Sequence, residues 1–126
     1  MLFETAMTAE LTAITGLTDK VHHLKAPESA RVPYVEYESS EGLATKTMGG
    51  YQAGKSVEVE LNVVAGTYGS LKQVTAAVVA KLASFEGRLI GTSGPFIQEI
   101  TLRASREFYD KETKLMKSAL SFEVYF

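Results

Sequence analysis

Cysteine is absent from this sequence, so disulfides and thiolate metal sites are excluded and the redox compartment is left open. Histidine occurs twice and aspartate twice, at Asp19 and Asp110. No apolar run approaches the length of a membrane-spanning helix. The N-terminal "MLFETAMTAELTAI" has no basic segment before an apolar one, so no secretory signal is expected and the expected location is the intracellular place of synthesis. Neither sign of charge dominates. A net charge of −2 gives no bulk attraction to nucleic acid or to an acidic membrane. What is present fits a single globular domain over residues 1–126, without repeats, linkers or low-complexity tracts.

Phe3, Met7, Leu11 and Ile14 form one apolar stripe at helical spacing, and Gly16 is a natural stop. "RVPYVEYES" then alternates, with Val35 and Tyr37 on one face and Tyr34, Glu36 and Glu38 on the other. Pro33 reads as the entry to that strand. Residues 39–55 are rich in Gly and Ser and read as a long loop, with a short strand near Ala44–Thr47 at most. "SVEVELNVV" alternates strictly, with Val57, Val59, Leu61 and Val63 on one side.

A second helix follows, with Leu71, Val74, Val78, Leu82 and Phe85 in its stripe. Ser70 with Gln73 spells a capping box, and Thr67 offers a cap one turn earlier. "RLI" is a short strand candidate. The last third reads as a hairpin. Ile100, Leu102 and Ala104 share one face of its first strand, "YDKET" is its turn, and "KLMKSALSFEVYF" is an apolar closing strand that needs a partner. The expected fold is α+β: a largely antiparallel sheet with two amphipathic helices packed on one face.

"GGYQAGKS" (Gly49–Ser56) spells a phosphate-binding loop, but that motif works only where it opens a helix whose N-terminal N–H groups hold the phosphate. Here Lys55 and Ser56 run straight into a period-two strand. Neither Asp19 nor Asp110 ends a buried strand, where a magnesium-binding acid belongs. No nucleotide or other cofactor is expected. His22 and His23 are adjacent, so on a strand they point to opposite faces and cannot share a metal. No metal site is expected. Ser39, Ser40, Ser93 and Ser105 have no nearby histidine, and Arg31, Arg88, Arg103 and Arg106 form no basic stripe. Arg103 and Arg106 would face opposite sides of a regular strand.

Glu36, Glu38, Glu58 and Glu60 are the notable cluster. Each pair is spaced i, i+2, so four carboxylates share a face if the two strands are neighbours. Three readings stand beside one another: a solvated face, an acid–base pair, and a surface that repels polyanions such as DNA.

The order of these landmarks resembles the tail-terminator or tail-completion family of long-tailed bacteriophages. "PYVEY" (Pro33–Tyr37) and "YDKET" (Tyr109–Thr113) before an apolar terminal strand carry most of the likeness, which spans nearly the whole chain. The resemblance implies a structural virion protein without catalytic residues. It implies a homohexameric ring that caps the tail tube, ends its polymerisation and meets the head-closure or connector protein at the head–tail interface. DNA would pass through the ring without sequence-specific binding, no membrane would be involved, and assembly would take place in the host cytoplasm. In such a ring, Met48, Tyr51, Gln52 and Lys55 of the 39–55 segment are candidate contact residues. Two other readings stand beside it. One is another head–tail connector or tail-tube component. The other is a small ligand-binding α+β domain, with the glycine loop as a lid.

Overall fold

The computed structural model describes residues 3–24, 27, 31–40, 43–47 and 50–126, and of 43–47 and 50–54 the backbone alone. The elements run α1 (Phe3–Thr12), β1 (Val21–His23), β2 (Tyr34–Ser39), β3 (Leu43–Thr47), β4 (Gly50–Ala65), α2 (Tyr68–Ala83), β5 (Arg88–Leu89), β6 (Phe96–Ile97), β7 (Glu99–Asp110) and β8 (Leu115–Tyr125). The main sheet has the order β1-β2-β4-β8-β7, and β3 pairs with the first part of β4. β5 and β6 form a separate two-stranded ribbon. Every pairing is antiparallel except β1 with β2, so the fold is α+β with a mostly antiparallel sheet.

The period-two segment becomes the centre of the sheet. Val57, Val59, Leu61 and Val63 of β4 are buried, flanked by Val35 and Tyr37 of β2 and by Leu120, Phe122 and Val124 of β8. Phe3, Met7 and Leu11 of α1 and Leu71, Val78 and Leu82 of α2 join the same core cluster. This face of the sheet is called inner below, and its alternate residues outer. Tyr37 ties α1 to β2, its hydroxyl donating to the Glu4 carbonyl at 2.7 Å and lying 2.6 Å from the Thr8 hydroxyl. A buried phenol needs such partners.

Thr67, not Ser70, caps α2: its hydroxyl accepts the Ser70 N–H at 3.2 Å from an extended backbone. The helix ends at Ala83, and Phe85, two residues beyond, is still buried. Gly87 then takes φ +80°, a conformation that suits glycine.

Two expectations need correction. The 39–55 segment is not a loop throughout, because its described part forms β3 and the start of β4, paired from Leu43↔Ser56 to Thr47↔Gly50. Backbone groups close that ladder and carry no sequence signature. The apolar alternation begins only where β4 also pairs with β8, from Ser56 onward.

The second correction concerns β7. A bulge between Leu102 and Ala104 shifts the register, so Leu102 faces Phe122 while Ala104 faces Ser121. Ala104 therefore leaves the face of Ile100 and Leu102. The same shift sets Arg106 opposite Ala119 and lets Arg103 pair with Glu123, so both guanidinium groups reach the outer face.

Candidate assembly surfaces

The phosphate-loop spelling has no phosphate-loop structure. Lys55 and Ser56 lie inside β4, where Lys55 exchanges backbone hydrogen bonds with Phe126 at 2.6 and 3.0 Å. Its side chain is exposed. Tyr51 and Gln52 belong to β4 by backbone, with their side chains outside the description, and Met48 and Gly49 lie outside the described residues. His22 and His23 go to opposite faces, each edge-on to a tyrosine, Tyr34 for one and Tyr37 for the other.

The four glutamates do come together. β2 and β4 are neighbours, Glu38 lies directly across from Glu60, and Glu36 lies across from Asn62. Glu58 continues the row towards β8, facing Glu123. Glu38, Glu58 and Glu60 are exposed and form no ion pair among the described residues. They rim an open depression of about 290 Å³ beside Leu24 and Ser121. Like charges set directly across a ladder destabilise it, so this cluster exerts a local cost on the sheet. It also lacks the enclosure that acid–base catalysis works in. Glu123 differs: the Ser56 hydroxyl and the Arg103 guanidinium hold its carboxyl below the usual glutamate range.

Sequence reasoning missed Glu10. Its carboxylate takes both guanidinium nitrogens of Arg88, at 2.7 and 3.1 Å, and the Gly91 N–H at 3.1 Å. Lys81 stands 3.9 Å away. The Arg88 hydrogen bonds lead in lowering the Glu10 pKa, against the opposing effect of burial. This clamp fixes the β5–β6 ribbon to α1. Seventy-eight residues separate the partners, so no local pattern announces them.

Two apolar surfaces were also hidden. On the ribbon, Ile90 and Ile97 are buried, whereas the cross-strand pair Leu89 and Phe96 is 57% and 52% exposed. At the other end of α2 an open notch of about 220 Å³, almost wholly apolar, is lined by Tyr68, Leu71, Glu107, Phe108, Tyr109 and Met116. Lys72 bonds Glu107 at 2.5 Å on its rim. Among the described residues no group of three or more metal-ligating side chains forms, and no helix is long and apolar enough to cross a membrane.

These features define a small α+β protein whose distinctive surfaces are an acidic sheet face and apolar relief at two ends, rather than an enclosed pocket. Comparison with known proteins gives the family. The chain matches the family described as tail completion protein gp17 over residues 4–126 and belongs to it, which makes it a structural protein of phage tails. Its fold is similar to that of a chain in the virion of a native gene transfer agent particle, with a TM-score of 0.72 and 16% identity, covering 98% of this chain and 92% of that one. No curated protein matches it.

Proposed function

We propose that this protein closes the tail: copies assemble into a ring on the finished tube, stop further polymerisation, and present the opposite side of the ring to the head connector. Membership of the tail completion family over residues 4–126 carries this reading. The virion origin of a structurally similar chain is consistent with it.

Size is compatible with six copies. A globule of 126 residues has a radius of gyration of about 14 Å and a diameter of roughly 35 Å, so six in a closed ring leave a hole of about that width, enough for duplex DNA. The role for the outer face is to line that passage. Glu36, Glu38, Glu58 and Glu60 present carboxylates to a polyanion, and like-charge repulsion keeps DNA from adhering as it slides. Tyr51, Gln52 and Lys55, on β4, together with Met48, are the proposed contacts with the tube, the connector or the next subunit. The work is done by contact, without a cofactor and without covalent chemistry.

The test is assembly in producing cells that lack the protein, read by negative-stain microscopy. Tails of abnormal length that fail to join heads are expected. Tails of normal length joined to filled heads in its absence overturn the proposal. Long tubes built from the purified protein alone would instead identify a tube component.

A further inference from the structure

A closed ring needs a heterologous contact, in which one patch on each subunit meets a different patch on the next. On that reading of the protein, we infer that the β5–β6 ribbon of one copy seats in the notch at the α2 N-terminus of a second copy.

The two patches sit at opposite ends of the same elements. α2 starts at the notch with Tyr68 and ends just before the ribbon, about 24 Å away for its 16 residues. β7 leaves the ribbon at Glu99 and reaches the notch at Phe108 and Tyr109, and its 12 residues span about 40 Å. A chain cannot fill its own notch across that distance.

The shapes correspond. The ribbon is a firmly held knob: Ile90 and Ile97 anchor it in the core, and the Glu10–Arg88 clamp fixes its base. A Cβ on Gly94 would collide with the Ile90 carbonyl oxygen and with Ala6, so the ribbon turn packs tightly on α1. What it presents outward is one pair of apolar side chains, Leu89 and Phe96. The notch is a small apolar recess with exposed aromatic walls, Tyr68 and Tyr109. Exposed aromatic groups around a recess are the usual anchors of protein contacts.

The charges correspond as well. Glu86 and Glu99 flank the ribbon and have no ion-pair partner among the described residues. In the β7–β8 turn beside the notch, Lys111 and Lys114 likewise have none, and they outnumber the single unpaired acid there, Glu112. An acidic knob and a basic recess on one chain favour a second copy of that chain over an unrelated partner.

The absence of cysteine makes the test direct. Leu89→Cys and Tyr109→Cys are made in separate proteins, mixed in equal amounts and treated with a short bis-maleimide. Cross-linked dimer should exceed that of either variant alone by about tenfold. No excess overturns the contact. If the mass of the unmodified protein still shows a multimer in that case, the ring reading survives and only the seat is wrong. The double variant Leu89→Cys/Tyr109→Cys separates the other failure: a ladder that closes at a ring supports both, and a ladder that stops at two supports the contact and overturns the ring. Phe96→Asp is the independent arm. Its side chain is exposed, so circular dichroism should be unchanged while self-association weakens by about tenfold or more. Unchanged association overturns the inference.

Discussion

β7 and β8 are two strands of one hairpin, of 12 and 11 residues, yet they live in different surroundings. β8 is bonded on both sides, by β4 and β7, and its alternate residues are buried. β7 is bonded on one side, and no residue along it is buried. Its apolar residues are nonetheless as large: Leu102, Phe108 and Tyr109 against Leu120, Phe122 and Val124. Apolar side chains on an edge strand point to a partner that the isolated subunit lacks. The hairpin thus spends one strand on folding and offers the other for contact.

Cross-strand neighbours test this division most sharply. Phe122 is 1% exposed and Leu102, directly opposite, is 47% exposed. Phe122→Ala should cost about 3–5 kcal/mol in urea or thermal unfolding, through lost burial and a cavity. Leu102→Ala should cost less than about 1 kcal/mol. Equal losses would mean that β7 belongs to the core after all.

Next in size is the clamp that fixes the ribbon from which β7 departs. Glu10→Gln should cost about 1.5 kcal/mol at neutral pH, at the low end for charge-assisted bonds because water reaches Arg88. The folded-state pKa of Glu10 is lowered from its usual 4.5. Its contribution is therefore complete above the unfolded value and is lost as pH falls through the folded one. The stability gap between wild type and variant should close on acidification below about pH 4.5 and stay constant from there to neutrality. A gap that widens with acid would contradict the assignment.

The smallest effect belongs to Ser118, buried on β8 across from Glu107, with a hydroxyl that has no hydrogen-bond partner among the described residues. Ser118→Ala should be neutral or stabilising by up to about 1 kcal/mol in the same unfolding assay, since it removes an unsatisfied polar atom. A loss of more than about 1 kcal/mol would reveal a bound partner for that hydroxyl.

The comparison also marks where the sequence was readable. Period two exposed β4 from Val57 to Val63 because that stretch is half-buried between two strands, and "KLMKSALSFEVYF" was readable for the same reason. α2 was readable from its stripe, and its cap from Thr67, one turn ahead of Ser70. The β3–β4 ladder was not, since Leu43–Thr47 and residues 50–54 carry no sustained apolar alternation. The parallel pairing of β1 with β2 went unseen because three residues carry too little pattern. Among surface features, the glutamate cluster followed from two spacings plus one adjacency. The ribbon, the notch and the Glu10–Arg88 clamp each depend on residues far apart in the chain, and periodicity cannot bring those together.

The bulge at Arg103 acts as a change of parity. Before it, even-numbered residues of β7 face the helices, as Ile100 and Leu102 do; after it, odd-numbered ones do, as Ser105, Glu107 and Tyr109 do. Removing Arg103 would turn the ladder regular while the pairs on either side of it, Leu102 with Phe122 and Ala104 with Ser121, and the hairpin turn stay as they are, so every remaining side chain keeps its face. The inserted residue thus adds one guanidinium to the outer face, beside Glu123, on a scaffold that is otherwise the same with or without it.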